Sequence, residues 1–488
     1  MSAALVDGGT ATLAECVPPD LAARVLAHAL RRRGGYAELY AEHRLSEGVS
    51  ADEGHIDRVT TGVQRGLSVR VVCEATSALA FTESMDEASL LATAEAASEA
   101  VGASAVAGTP RVRLTPAASP AGAVTQRSLP GPDRVALVER GDRAARAADP
   151  RIRQATIFLG TITQHVVVAR SDGRYVTDTR HRLRYRVQAV ARARQGGRTG
   201  IGTYAPGATE GFEFLRRCTP ETIAMRAAKQ ALSQLEAGPA PAGQMPVVLG
   251  NEAGGVLVHE ACGHGLEADA VLRGGSLYAS RVGERIGSDI VDVIDDGAFP
   301  GGWGSAGFDD EAELAGPTML VEAGRLAGFL CDRASAAALA VPATGNGRRA
   351  SFRHPPLSRM TNTYIGAGEA SPGEIIAATP YGLYAPSLSG GQVDPASGSF
   401  LFSAREAYLI RDGRLDHPVW GATIAGSALD VLSDIDMVGN DLRVGAGNCA
   451  REGQRVFVGI GQPTLRIARM VVGGTEYRAS RADSHETG

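Results

Sequence analysis

Glycine and proline interrupt this chain so often that they favour many turns and short strands over a helical bundle. The 488 residues include 61 glycines and 24 prolines. Both residues weaken the interior of a helix, and proline also lacks the backbone hydrogen-bond donor. A helical bundle is therefore disfavoured, and many short strands are predicted. Hydrophobic residues make up 44% of the chain, which is enough for a large buried core and excludes a disordered chain.

The charge balance and the cysteine pattern restrict the partners and the compartment. The chain carries 49 basic and 54 acidic side chains, a net charge of −5, so it lacks the basic excess of nucleic-acid-binding proteins. No apolar run approaches the length of a membrane-spanning helix, and the first residues do not resemble a signal peptide. The six cysteines are widely spaced and form no C-x-x-C pair. We therefore expect a cytoplasmic protein that binds neither nucleic acid nor a membrane.

Hydrophobic periodicity predicts an N-terminal α/β domain over residues 1–240, built on an antiparallel sheet. Apolar residues at three-and-four spacing predict helices at 18–33, 86–101, 133–148 and 220–236. Alternating patterns predict strands at 36–44, 66–73, 78–82, 152–159, 161–171, 175–179 and 182–192. The segment 102–131 is rich in alanine, proline and glycine without a clear period, so it is predicted to be a linker or a long loop.

A glycine- and proline-rich stretch at 238–243 is the predicted domain boundary. Beyond it, a strand at 245–249 and a helix at 254–264 precede a long series of short strands. We expect a mostly-β, barrel-like C-terminal domain over residues 244–475 that carries a metal-binding helix, followed by a flexible tail at 476–488. The predicted fold class of the whole chain is α+β.

The most informative stretch is HEACGHGLE at residues 259–267, which contains the pattern His-Glu-x-x-x-His. In the familiar zinc motif His-Glu-x-x-His, the two imidazoles lie four residues apart on one helical face. Here His259 and His264 are five residues apart, which separates the rings by about 140° on an ideal α-helix. Both rings can bind one ion only if the helix widens into a π-type turn or unwinds near Gly263 and Gly265.

A hydrolytic zinc site needs a third protein ligand and an open position for water. Cys449 is a candidate because the glycine-rich stretch GAGNCAREG at 445–453 can present a thiolate, and Arg451 nearby favours the ionised thiol. The alternative for Cys449 is a buried structural thiol. The alternative for His259 and His264 is a pair of ordinary buried histidines.

The motif resembles the signature of the TldD/PmbA family of metallopeptidases, on the TldD side. The resemblance continues, in the same order along the chain, through DDG at 295–297, TGNGRR at 344–349, RMTNTY at 359–364, YGLYAP at 381–386, GGQVD at 390–394, MVGNDL at 437–442 and GIGQPTL at 459–465. These motifs cover residues 245–475. The N-terminal half resembles the family only in its general order of helices and strands.

The resemblance implies a peptidase that uses Zn²⁺ to hydrolyse unfolded or extended peptides. It implies that His259, His264 and Cys449 are the metal ligands, and that Glu260 is the base that activates a zinc-bound water. It also implies a two-domain subunit that forms a dimer, either with a second copy of itself or with a PmbA/TldE-like paralogue.

Two departures from the family pattern concern the surroundings of these ligands. Cys262 stands where an apolar residue is expected, and Cys449-Ala450-Arg451 replaces the pattern Cys-Gly-Lys. Neither removes a ligand or the base. Cys262 is either a small packed residue or a fourth ligand that closes the site. Glu267 and Asp269 are either acceptors that hold His264 or solvated carboxylates.

Other motif residues also have two interpretations. The run Ser-Leu-Ser-Gly-Gly at 387–391 is either a tight turn or an open strand edge that binds an extended peptide through main-chain hydrogen bonds. Arg348, Arg349 and Arg359 either bind a substrate carboxylate or form structural ion pairs. Two alternatives to a general peptidase are open as well: an amide hydrolase that tailors a peptide-like natural product, and a non-catalytic subunit whose zinc is structural.

Overall fold

The N-terminal half consists of six helices and eight strands in the residues that the computed structural model describes, which are 12–32, 35–74, 76–102, 111–120, 129–193, 197–252, 255–394 and 396–475. Its helices are α1 (Leu13–Cys16), α2 (Pro19–Ala29), α3 (Glu87–Ala100), α4 (Gly131–Ala147), α5 (Phe214–Arg217) and α6 (Pro220–Glu236). Its strands are β1 (Tyr36–Asp52), β2 (His55–Cys73), β3 (Thr76–Thr82), β4 (Thr115–Ala118), β5 (Ile152–Arg170), β6 (Arg174–Arg192), β7 (Thr199–Tyr204) and β8 (Gly207–Ala208).

One mainly antiparallel sheet organises this half, in the order β3-β2-β1-β5-β6-β4, with β7 and β8 also paired to β6. The predicted break at Gly160 is wrong, because β5 continues through it and pairs with a neighbouring strand on each side. A Cβ atom at position 160 would lie 2.6 Å from the Phe158 ring. Gly160 therefore leaves room for that ring instead of forming a turn. The predicted strands 175–179 and 182–192 are likewise one strand, and β1 runs past the predicted end at 44.

The two faces of this sheet have different partners, because successive side chains of a strand point to opposite faces. On one face, helices α2, α3, α4 and α6 cover apolar residues such as Leu39. The other face meets the C-terminal half. There Glu42 accepts a hydrogen bond from the backbone of Phe352 at 3.1 Å, and Arg180 pairs with Asp310 at 2.7 Å. Buried charges of this kind are tolerated because they are paired.

The C-terminal half is mostly strand. Its strands are β9 (Gly238–Pro239), β10 (Gly243–Leu249), β11 (Val293–Asp296), β12 (Pro317–Glu322), β13 (Arg325–Leu326), β14 (Gly347–Arg348), β15 (Leu357–Ser358), β16 (Asn362–Ile365), β17 (Tyr381–Val393), β18 (Ser399–Arg411), β19 (Arg414–Trp420), β20 (Thr423–Ser427), β21 (Ile435–Val438), β22 (Arg443–Arg451), β23 (Gln454–Gln462) and β24 (Leu465–Gly473). Its helices are α7 (Val256–Val258), α8 (Ala268–Leu272), α9 (Arg333–Leu339), α10 (Pro372–Ala377) and α11 (Ala428–Asp434).

A closed barrel of five strands forms the core of this half. Strands β17, β10, β24, β20 and β18 are neighbours in that order, and β17 also pairs with β18 to complete the ring. A second sheet follows the order β13-β12-β11-β16-β23-β22. The predicted α+β class, with a barrel-like C-terminal part, is confirmed.

Some predictions on organisation are not tested by this architecture. The division into domains at 1–240 and 244–475 stays a prediction. The predicted boundary at 238–243 contains the short strand β9, which pairs with β19. The tail at 476–488 lies outside the described residues, as do 103–110 and 121–128 of the predicted linker. Among the described residues, no helix combines the length and the apolar character needed to cross a bilayer.

Candidate metal centre

The segment that carries both histidines changes its helical form at the motif. After α7, residues His259–Gly263 form a π-helical turn, and His264–Leu266 form a 3₁₀ turn. The backbone N–H of His264 donates to the carbonyl oxygen of His259, so this hydrogen bond spans five residues instead of four. The predicted departure from a regular α-helix near Gly263 is confirmed. The wide turn brings the two imidazole rings to a centroid separation of 5.1 Å.

Two glycines let this turn pack closely against its neighbours. A Cβ atom at position 263 would lie 2.1 Å from Sδ of Met360, and one at position 265 would lie 2.7 Å from the ring of Tyr278. Met360 and Tyr278 are both fully buried. No periodic signal in the sequence indicates these two contacts, and the one between Gly263 and Met360 joins segments far apart in the chain.

The third candidate ligand comes from the β22–β23 hairpin, in which Cys449 pairs with Val456. The ligand atoms of His259, His264 and Cys449 all lie within 4.8 Å of one another. The Sγ atom of Cys449 is 3.2 Å from Nε2 of His264. The structure therefore brings together the three residues for which the sequence suggested a metal site, although Cys449 follows the motif by more than 180 positions.

Glu260 lies beside this group, with its carboxylate directed at the same imidazole. Its Oε2 atom is 3.7 Å from Nε2 of His264, and 31% of its side chain is exposed. Burial raises the pKa of Glu260 above its ordinary value, and the nearby His264 partly opposes this effect. Glu260 thus combines access to solvent with a raised proton affinity, which suits a group that takes up and releases a proton.

A buried carboxylate holds His264 from its other side. The Glu267 side chain is fully buried, and its Oε2 atom lies 3.0 Å from Nδ1 of His264. Of the two interpretations open for Glu267, this contact favours the acceptor of His264 over the solvated carboxylate. Arg451 donates to Glu267 at 2.8 Å and to Asp269 at 2.7 Å. The guanidinium of Arg451 therefore binds these carboxylates, and Asp269 serves Arg451 rather than His264.

The donor set and its charges fit a cation. Burial, with contributions from His264 and Arg359, holds the pKa of His259 well below its usual range and keeps that ring neutral. The Nδ1 atom of His259 is buried without a hydrogen-bond partner among the described residues. Burial also opposes the charged form of His264, yet Glu267 and Cys449 raise its pKa to about 10. The group thus stabilises a positive charge at the place where a metal ion would lie.

Cys262 is not part of this ligand group. Its thiol is fully buried, and burial raises its pKa to about 12. It belongs to the apolar core of the C-terminal half, together with Tyr278. The packed interpretation of Cys262 therefore agrees with the structure, and the closed arrangement of four ligands does not.

The three arginines of the family motifs bind groups of the protein itself. Nη2 of Arg349 donates to Glu38 at 2.6 Å, and Nη2 of Arg348 donates to the carbonyl of Phe457 at 2.7 Å. Nη2 of Arg359 donates to the carbonyl of Cys449 at 3.0 Å. These contacts favour the structural interpretation, and they show that Arg359 supports the strand that presents Cys449.

A cleft of about 770 Å³ lies between the two halves, near the segments that carry the candidate ligands. Val256, one turn before Glu260, and Ala446, on the same strand as Cys449, both line it. The run 387–390 of β17 lines it as well. In this part of β17, β18 is the partner strand on one side, and among the described residues no strand pairs on the other. The other side of this run is therefore an open strand edge, and the run itself lies on the wall of the cleft.

Comparisons with known proteins agree with this geometry. The family models that match are PmbA/TldA metallopeptidase domain 1 at residues 37–101, the central domain at 125–235 and the C-terminal domain at 242–474. A "Metalloprotease TldD homolog" of Haemophilus influenzae is 36% identical over 459 residues, covering 90% of this chain and 93% of the relative. A "Zinc metalloprotease TldD homolog" of Saccharolobus solfataricus is 35% identical over 247 residues, covering 50% of this chain and 55% of the relative.

The fold is also found in solved structures. The crystal structure of TldE from Thermococcus kodakarensis superposes with a TM-score of 0.72 at 18% identity, covering 92% of this chain and 99% of that chain. At this identity the likeness concerns the fold alone.

Proposed function

Because the chain belongs to the PmbA/TldD family of metallopeptidases, we propose that it is a zinc-dependent peptidase that hydrolyses peptide bonds in unfolded or extended peptides. The observation that carries the proposal is the convergence of His259, His264 and Cys449 within 4.8 Å, with the Glu260 carboxylate beside them. Two imidazoles and one thiolate suit zinc better than the hard cations, which prefer oxygen ligands.

Each residue of the centre has a separate task in this proposal. Zinc held by His259, His264 and Cys449 would polarise the scissile carbonyl and lower the pKa of the attacking water. Glu260 takes the proton from that water and delivers it to the leaving amine. Its raised pKa supports the first step, since a carboxylate of higher proton affinity is the stronger base. Glu267 fixes the orientation of the His264 ring, as a hydrogen-bonded carboxylate does for many metal-binding imidazoles.

The open edge of β17 is the proposed place for the peptide main chain. An extended peptide added there would form backbone hydrogen bonds that do not depend on its side chains. The partly exposed side chain of Glu260 and the nearly buried His259, which is 2% exposed, fit a centre reached by a narrow chain rather than by a folded surface.

The proposal extends to partner and compartment. We propose a dimer, with a second copy or with a PmbA/TldE-like paralogue, and a cytoplasmic location. Among the described residues, Cys218, Cys262, Cys331 and Cys449 are free thiols, which fits a reducing compartment.

Two alternative functions lead to different outcomes of the same experiment. The purified protein is assayed for bound zinc and for cleavage of unstructured peptides, with the Glu260→Gln variant as the matched control. Zinc in both proteins with cleavage only by the wild type supports the peptidase. Zinc without cleavage of any peptide or metabolite amide supports a structural metal.

The natural substrates are sought by comparing the peptides that accumulate in a deletion strain and in a Glu260→Gln strain. Accumulation of one modified peptide alone favours the enzyme of a natural-product pathway over a general peptidase.

A further inference from the structure

The cleft beside the candidate metal centre carries an excess of positive charge. The arginines that line it are Arg184, Arg217, Arg226, Arg405 and Arg443, whereas Glu252 is the one acidic residue of the described lining. Three of these arginines have carboxylate neighbours. Arg226 pairs with Glu252 at 2.7 Å, Arg443 lies 3.9 Å from the same carboxylate, and Arg217 pairs with Glu210.

The other two arginines form no ion pair among the described residues. Arg184 donates from Nη2 to the carbonyl of Ala446 at 3.4 Å, and its Nε atom is buried without a partner. Arg405 donates from Nη1 to the carbonyl of Thr203 at 3.3 Å. Burial and the neighbouring Arg186 lower the pKa of both guanidiniums. The cleft therefore holds two half-buried cations that no internal anion compensates, which is a costly arrangement unless a ligand supplies the charge.

The distance between Arg184 and the candidate metal centre can be estimated along strand β22. Arg184 contacts Ala446, and Cys449 lies three positions further along strand β22. Strand residues are spaced about 3.3 Å apart, so the two points are on the order of 10 Å from each other. A peptide extended along the cleft would place a residue about three positions from the scissile bond near Arg184.

We propose that Arg184 forms an anion subsite that binds a carboxylate of the peptide substrate, about three residues from the bond that is cut. This inference rests on the proposed peptidase function and adds a substrate preference to it. Guanidinium groups suit this task because they bind carboxylates by two parallel hydrogen bonds. The carboxylate belongs either to an acidic side chain or to the free C-terminus of the peptide.

The test uses matched unstructured peptides with one cleavable bond. One set carries a single Glu at each of the positions two to four residues from that bond, on either side, and the matched set carries Gln. A third set compares a free C-terminus with an amidated one at the same distances. We expect kcat/KM of the best carboxylate peptide to exceed that of its neutral partner by roughly tenfold or more, the usual effect of a charge-assisted hydrogen bond.

Binding is measured separately from cleavage, by fluorescence anisotropy with the Glu260→Gln protein. Arg184→Gln, introduced into this background, should remove the preference for the carboxylate peptide. Arg192→Gln is the control, since Arg192 lies on the same strand as Arg184, is exposed and lies outside the cleft. It should leave the preference unchanged.

The outcomes separate the two proposals. Cleavage of all peptides without any difference in affinity or kcat/KM between Glu and Gln, or between acid and amide, overturns the subsite and leaves the peptidase intact. A preference that survives Arg184→Gln also overturns it. A protein that binds the carboxylate peptides selectively but cleaves none overturns the peptidase and keeps the anion subsite.

Discussion

The backbone N–H of His264 donates to the carbonyl oxygen of His259, and this five-residue hydrogen bond brings their two imidazoles to one side of the chain. In a regular α-helix the same side chains would point about 140° apart. The metal centre thus depends on a local backbone form, which in turn depends on close packing at Gly263.

The first prediction concerns this packing. A Cβ atom at position 263 would lie 2.1 Å from Sδ of Met360, so Gly263→Ala should displace the turn and weaken zinc binding and thermal stability together. Gly373→Ala is the matched control, because that glycine is also helical and nothing lies within 4 Å of its added Cβ. Normal zinc content and melting temperature in Gly263→Ala would show that the turn does not need the close approach.

The second prediction concerns the ligands. The wild type should bind about one zinc ion per chain, and His259→Ala, His264→Ala and Cys449→Ala should each lose most of it. Cys262→Ala should keep the metal, because this thiol packs in the core outside the ligand group. Zinc content after dialysis, measured by mass spectrometry, checks all four variants. Full zinc in Cys449→Ala would remove this residue from the ligand set.

The third prediction separates binding from chemistry. Glu260→Gln should keep zinc, fold and peptide affinity, while kcat falls by about two to four orders of magnitude, the usual contribution of a positioned general base. Gln has nearly the same shape as Glu, but its neutral amide cannot act as a base. Turnover near that of the wild type would mean that another group is the base.

The fourth prediction concerns the support of His264. Glu267→Gln should lower zinc affinity by roughly ten- to a hundredfold, because partners of metal-binding imidazoles contribute effects of this size. Asp269→Asn is the control, since Asp269 shares the contact to Arg451 but not the one to His264. Competition with a chelator of known affinity measures both variants. If the two lose affinity equally, the effect comes from the Arg451 network and not from the imidazole.

The sequence predicted the local features of this protein better than the long-range ones. The wide turn between His259 and His264 follows from their spacing alone, because two rings five positions apart need it to meet. The neighbouring carboxylate Glu267 was also within reach of local reasoning. The continuity of strand β5 could not be predicted, because a glycine such as Gly160 normally indicates a turn. Here the absence of a side chain at Gly160 leaves room for the ring of Phe158.

Residues joined by the tertiary fold were the hardest to find. Cys449 was a candidate because of its glycine-rich surroundings and the family pattern, while its contact with His264 depends on the pairing of β22 with β23. The cleft residues Arg184 and Arg405 have no local signal, and the motif RMTNTY, which contains Met360, does not indicate the contact of Met360 with Gly263. Their roles arise from the packing of segments distant in the chain, which periodicity does not encode.

The last prediction concerns the form of the substrate. The candidate ligands are nearly buried, with His259 at 2% and Cys449 at 4% exposure, while Glu260 is partly open to solvent. The run 387–390 of β17 lines the cleft near them, and an extended chain can pair with an open strand edge whereas a folded domain cannot. We therefore expect unfolded or naturally extended peptides to be cut and stable domains to be spared.

One substrate protein is assayed in its native form and in a form destabilised by a core substitution, with cleavage followed by mass spectrometry. The destabilised form should be cut faster in proportion to its unfolded fraction, because only that fraction can enter the cleft. The control is a synthetic peptide with the sequence around the cleaved bond. Because it has no fold, the versions of this peptide that match the native and the destabilised protein should be cut at the same rate. Equal cleavage of the native and destabilised proteins would contradict a centre that requires an extended chain.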